Sequence, residues 1–248
     1  GHDAEGNAPA IVFFFGGGWT GGSPEQFYQQ STYLSDRGMV AMTAEYRVRR
    51  RHQTTPFECV EDGKSAVRWI RQHAGEMGID PTRIVAGGGS AGGHVAACTG
   101  VIEGYDAPGE DLSISSRPNA MLLFNPVIDT TERGYGVAKV GEERKTEISP
   151  VNHVRADLPP TMIFHGTADA TVPFENVARF TVQMHAAGND CTLVPYDGAG
   201  HGFFNGTHRR PTNTDAYFQS TMDHSVAFLS ARGFLPEPSG MGASQATP

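Results

Sequence analysis

Six short runs in this sequence are apolar without alternation, and segments of helical spacing separate them. The runs are Ile11–Phe15, Val40–Tyr46, Ile84–Gly87, Ala120–Phe124, Thr161–Phe164 and Cys191–Tyr196. A strand with one wet face alternates apolar and polar residues. A continuous run suits a strand covered on both faces, which is the condition inside a parallel sheet. Between the runs, Pro56–His73 carries Phe57, Val60, Ala66, Val67 and Ile70 on one stripe, with charges opposite. Ala91–Ile102, Phe174–Ala187 and Thr214–Arg232 are further helical segments. Parallel strands joined through helices need right-handed crossovers, so the pattern predicts an α/β fold: a mostly parallel central sheet with helices on both faces. Residues 1–235 read as one domain, and 248 residues suffice for one such domain with a full core. Residues 133–157 are polar and irregular, break the alternation, and read as a small lid insertion beside a site. Residues 236–248, rich in Pro, Gly and Ser, read as a flexible tail.

Charge and composition narrow the partners. The formal net charge is -8, and Lys and Arg are scattered apart from Arg47, Arg49, Arg50 and Arg51. Nucleic-acid binding needs a basic surface, so none is expected, and the small cluster reads as a solvated loop. No apolar run approaches the ~20 residues that span a bilayer. No signal-peptide pattern opens the sequence, which leaves the compartment open. Cys59, Cys98 and Cys191 are odd in number and far apart. They suggest neither a disulfide framework nor a metal site and read as small buried thiols.

The stretch "RIVAGGGSAGGH" carries the chemistry. A short apolar strand enters Gly88-Gly89-Ser90-Ala91-Gly92, which fits G-x-S-x-G, and a helical segment follows. That motif holds a serine on a strained strand-to-helix turn, and small neighbours are needed where strand and helix crowd together. Ser90 is therefore the candidate nucleophile. A serine hydroxyl needs a base, and the base an orienting acid, expected in the chain order Ser, acid, His on later strand ends. "TMIFHGTADATVP" supplies Asp169, and "CTLVPYDGAGHGFFN" supplies His201. Asp129 is the competing acid. His165 reads as a residue that orients its loop, and His94 as a packing or hydrogen-bonding residue under the site. His185, His208 and His224 lie in helical or late polar segments. The glycine run after the first strand, "FFFGGGWTGGS", offers bare backbone N–H groups to an oxyanion. Gly17 and Gly18 are the candidate donors there, with Gly16 a third choice and Ala91 the donor after the nucleophile. Trp19, Phe203 and Phe204 flank the site in sequence and are candidates for its pocket. Gly21 and Gly22 read only as a turn.

With these residues together, the chain resembles the α/β-hydrolase superfamily from about Ile11 to Leu235. The resemblance is to the lipase/esterase branch with an H-G-G-G loop, including hormone-sensitive-lipase-like esterases and small carbohydrate acetyl or feruloyl esterases. "GGGW" matches the oxyanion loop, and "AEYRV" the strand-end D-Y-R pattern, with Glu45 in place of Asp. "HGTADATVPFENVARF" and "GAGHGF" match the acid and His loops. Phe15 stands where that branch has His. The resemblance also implies an antiparallel hairpin ahead of the first strand. The sequence starts after it, which leaves an expected sheet edge open to a second copy, as in a homodimer.

The expected function is a serine carboxylester hydrolase for short-chain acyl esters, working through an acyl-enzyme with neither metal nor organic cofactor. Its substrate is a small-molecule or carbohydrate ester; acetyl or feruloyl groups on carbohydrate are implied by the resemblance alone. Two alternatives stay open: a serine peptidase resembling prolyl oligopeptidase, and a catalytically inactive binding protein of the same fold.

Overall fold

The apolar runs become strands β1 (Ala8–Phe14), β2 (Val40–Ala44), β3 (Ile79–Gly89), β4 (Ala120–Phe124), β5 (Thr161–Gly166) and β6 (Cys191–Tyr196). The structure, a computed structural model, describes residues 7–236, so the expected tail beyond Pro236 lies outside the described residues. The strands form one sheet in the order β2-β1-β3-β4-β5-β6, and every neighbouring pair is parallel.

Both faces are covered, which is why the runs do not alternate. Val12 and Phe14 of β1, Ile84 and Ala86 of β3 and Leu123 of β4 enter one core, together with apolar residues of α3 (Pro56–Gln72), α4 (Ala91–Val101) and α6 (Phe174–Ala186). Ile11, Phe13, Val85, Leu122 and Phe124 enter the other core, with residues of α1 (Tyr28–Ser35) and α7 (Asp215–Ser230). Successive side chains of a strand point to opposite faces, so each run feeds both cores.

Two elements differ from the sequence expectation. Helix α1 was not expected, because "YQQSTYLS" has no apolar stripe; only Gln30 and Leu34 are buried. Strand β3 begins at Ile79 rather than Ile84. Ile79 pairs with Ala8, and a register shift separates that pair from Ala10↔Ile84. Asp80 and Pro81 hide the early part. The Asp80 carboxylate accepts from Thr82 N–H (2.8 Å) and pairs with Arg83 (2.8 Å), which gives the segment a turn-like sequence.

The basic cluster is a third correction. Arg49–His52 is a short helix, α2, not a loop, although its side chains are exposed. The Arg49 and Arg50 amides donate to the Trp19 and Thr20 carbonyls, each at 3.0 Å. Arg47 pairs with Asp62 (2.7 Å) and Glu61 (3.3 Å). The cluster is thus tied to the glycine-rich loop that follows β1. The three cysteines are free and buried.

Candidate active site

The loops at the carboxyl ends of β1, β3, β4, β5 and β6 meet above the sheet, where ligands of open α/β sheets bind. Ser90 sits between β3 and α4 at φ 56°, ψ -120°. A non-glycine residue there costs about 1–3 kcal/mol and persists only when its surroundings enforce it. They do: Ser90 N–H donates to the Phe124 carbonyl (3.0 Å), and the Ser90 carbonyl accepts from His94 (3.0 Å) and Val127 (3.2 Å). A Cβ on Gly92 would run into the Phe14 and Phe15 carbonyls, so only glycine lets α4 start this close to β1.

Ser90, His201 and Asp169 form one hydrogen-bonded chain. His201 Nε2 lies 2.9 Å from Ser90 Oγ, and His201 Nδ1 lies 2.7 Å from Asp169 Oδ2. Asp169 closes the loop after β5, and its other oxygen accepts from the Thr171 and Val172 amides, both at 2.9 Å. A second, fully buried imidazole, His165, approaches Asp169 Oδ2 at 3.3 Å and the Val172 carbonyl at 3.0 Å. Burial works against the charge on Asp169. The hydrogen bonds from His165, His201 and Val172 outweigh it and hold the carboxyl well below the usual carboxylate range. His165 thus sits on the acid itself as well as on its loop.

Asp129, the competing acid, faces elsewhere. Its carboxylate pairs with Arg179 and accepts from the Thr131 amide (2.8 Å). His94 is fully buried in α4; its Nε2 meets the Ile148 carbonyl at 2.6 Å and its ring packs edge-on to Trp19. Burial pushes its pKa down to about 4, so the ring is neutral near pH 7.

The glycine loop is shaped by close approach. Gly17 has φ +129°, and a Cβ there would strike the Gly21 carbonyl. Gly22 closes in the same way against Gly16, so the second pair of glycines completes a folded loop. The Gly16 amide is taken by Gln26 Oε1 (2.6 Å). The Gly17, Gly18 and Ala91 amides donate to no other group among the described residues. Phe15 is buried and stacks on Tyr46 with ring centroids 4.3 Å apart, while the Tyr46 hydroxyl donates to the Phe15 carbonyl (2.6 Å). A Phe–Tyr stack and a tyrosine hydroxyl brace the end of β1 where the resemblance expected a histidine.

A cavity of about 540 Å³ opens over Ser90 and His201. Gly16, Gly17, Gly18 and Phe204 line it. Trp19 and Phe203, also expected there, are not in its wall. Trp19 is buried behind the loop, between His94 and Tyr135, and Phe203 packs on Tyr196 and Tyr217. Phe203 and Phe204 pack edge-to-face within one core, centroids 6.2 Å apart, and only Phe204 reaches the cavity. Gln26, Asn125 and Tyr135 line the cavity and were not expected. Asn125 Oδ1 accepts from Gly202 N–H (2.9 Å), fixing the loop that bears His201. Isolated amides such as Gln26 and Asn125 carry no sequence signature. The segment 133–157 contributes Tyr135 to the wall. Among the described residues no cluster of three or more His, Cys, Asp or Glu could hold a metal ion, and no helix is long and apolar enough to cross a membrane.

A strained serine at a strand-to-helix turn, joined to a histidine and a carboxylate on later strand ends, defines the class of α/β-hydrolases that includes the esterases. The chain belongs to the BD-FAE family, whose model matches residues 2–132, over half of the sequence. The dienelactone hydrolase family model matches residues 125–229. The acetylxylan esterase of Xylanibacter ruminicola is 31% identical over 215 residues, covering 80% of this chain and 42% of that protein. Esterase LipC of Mycobacterium tuberculosis is 28% identical over 229 residues, covering 83% of this chain and 56% of that protein. The chain spans about half the length of the curated relatives it matches. Thermogutta terrifontis esterase 2 phosphoramylated by tabun matches with a TM-score of 0.88 at 51% identity, covering 94% of this chain and 86% of that one. The same esterase with propionate bound matches with a TM-score of 0.86 at 50% identity and the same coverage. These named relatives and this solved structure are esterases.

Proposed function

We propose that the protein hydrolyses short-chain carboxylic esters through an acyl-enzyme on Ser90. The observation that carries this reading is the continuous hydrogen bonding from Ser90 through His201 to Asp169. His201 Nε2 takes the Ser90 proton as Oγ attacks the acyl carbon, then gives it to the leaving alkoxide. Asp169 holds Nδ1–H and stabilises the imidazolium. The Gly17, Gly18 and Ala91 amides receive the oxyanion, helped by the N-terminus of α4. Water, activated by the same imidazole, then releases the acid.

The propionate bound by Thermogutta terrifontis esterase 2 supports a small acyl group. The acetylxylan esterase relative supports a carbohydrate alcohol. The segment 133–157 acts in this reading as a lid that sets pocket shape through Tyr135, and the β2 edge, unpaired among the described residues, is the surface for a homodimer.

The test is the release of p-nitrophenol from p-nitrophenyl acetate. Ser90→Ala should abolish it while the circular dichroism spectrum stays native. Undiminished turnover, or cleavage of a peptide amide with no ester turnover, would overturn the reading. Rates across acetyl to decanoyl esters should fall beyond butyryl, and a profile that rises with chain length would remove the short-chain part.

A further inference from the structure

The wall of the Ser90 cavity contains Arg209 and Arg210 and no Asp or Glu. That local sign is opposite to the chain's net charge of -8. Arg210 is not a loose surface side chain. Its guanidinium lies on the backbone of Gly202, the residue after His201; a Cβ at Gly202 would fall 2.6 Å from Arg210 Cζ. One Arg210 N–H donates to the His201 carbonyl (2.8 Å). Guanidinium has five N–H donors, and Arg210 forms no ion pair among the described residues. Arg209 has one distant partner, Glu25 at 3.9 Å, both side chains well exposed.

The loop that carries the two arginines is built to stay in place. Asn213 Nδ2 donates to the carbonyls of Asn205 (2.6 Å) and Gly202 (3.0 Å). The Arg209 and Arg210 amides both donate to the Gly206 carbonyl, at 3.0 and 2.9 Å. The Asp215 carboxylate accepts from the Thr207 amide (2.7 Å). A neutral ester needs no cation at this position, and an anionic ester would be repelled by the rest of the molecule.

We infer that Arg210, with Arg209 beside it, recognises a carboxylate on the substrate, so that the preferred esters are anionic. A guanidinium presents parallel N–H donors that match a carboxylate, and the mouth of the cavity places them one residue from the proposed base. The inference rests on the reading of Ser90 as nucleophile. The carboxylate can belong to the acyl group or to the alcohol, and the two cases are separable.

The experiment compares kcat/KM within two matched pairs. For the acyl side, 4-nitrophenyl hemisuccinate is set against 4-nitrophenyl butyrate. For the alcohol side, 4-acetoxybenzoate is set against 4-acetoxybenzamide. In at least one pair the anionic ester should be favoured, and the pair in which this occurs assigns the side. Arg210→Gln should lower that anionic-to-neutral ratio about tenfold, mainly through KM, with Arg210→Lys retaining part of it. Arg209→Gln should lower it less, and added salt should compress the wild-type ratio. Neutral turnover with no anionic preference in either pair overturns the inference alone. So does an equal loss on both esters in Arg210→Gln, which would make the arginine only a brace for His201. Should Arg210→Gln fail to fold, the salt series and Arg209→Gln still decide. Absence of Ser90-dependent turnover on the anionic and the neutral esters alike overturns the nucleophile reading, and this one with it.

Discussion

Asp169 and Asp129 are both buried carboxylates at strand ends, and their partners separate their roles. Asp169 faces two imidazoles and two amides, whereas Asp129 is spent on Arg179 and on the turn at Thr131. Asp169→Asn keeps the shape but presents the wrong group to His201 Nδ1, so kcat should fall by about 10⁴-fold. Asp129→Asn leaves Arg179 without its partner. Arg179 is one-third exposed, so the stability cost should be about 2–3 kcal/mol, below that of a fully buried pair, with kcat nearly unchanged. Kinetics and urea melts on the two variants check this, and a collapse of kcat in Asp129→Asn would exchange the two roles. Ser90, Asp169 and His201 were legible because each closes a strand within a short motif and their chain order is constrained. The Asp129–Arg179 pair joins positions 50 residues apart, and no local pattern announces it.

Helix α4 shows what an element adds to its residues. Every residue from Ala91 to Val101 is buried, so it has no wet face and no amphipathic stripe. It was legible from its small residues and its place after the G-x-S-x-G motif. Helix α1, polar along most of its length, had no such support. Inside α4 the buried His94 ties the helix that follows Ser90 to Ile148, and its lowered pKa has a consequence for stability. Between the ordinary histidine value near 6.5 and the folded value of about 4, the unfolded chain binds a proton that the native state refuses. Stability is therefore full above pH 6.5 and falls as pH drops toward 4, by about 3 kcal/mol for this one group. Urea midpoints at pH 7 and pH 4.5 should differ less in His94→Gln than in the wild type, whatever the variant's mean stability. An unchanged difference would place the acid sensitivity elsewhere.

At the scale of the molecule, the glycine loop is held by parts far apart in sequence. Tyr46 reaches the Phe15 carbonyl, Arg51 the Gly22 carbonyl (2.9 Å), Gln26 the Gly16 amide, and α2 the carbonyls of Trp19 and Thr20. Lys139, from the segment 133–157, donates to the Gly18 carbonyl (3.1 Å) and to the Tyr135 hydroxyl (2.9 Å). The glycines themselves were readable as a close-approach loop, the one proposed here to hold the oxyanion. Their supports were not, because a contact across 121 residues depends on the finished fold. Such a loop matters only when the oxyanion forms, since a ground-state carbonyl asks less of its donors than the tetrahedral state does. Lys139→Met keeps the stem packed near Trp19 and Tyr135 and removes the donor to Gly18. Its kcat on p-nitrophenyl acetate should fall about tenfold, a fraction of the loss of a whole oxyanion donor, while KM changes little. A rise in KM at constant kcat would instead make Lys139 a part of the substrate pocket and leave the loop rigid without it.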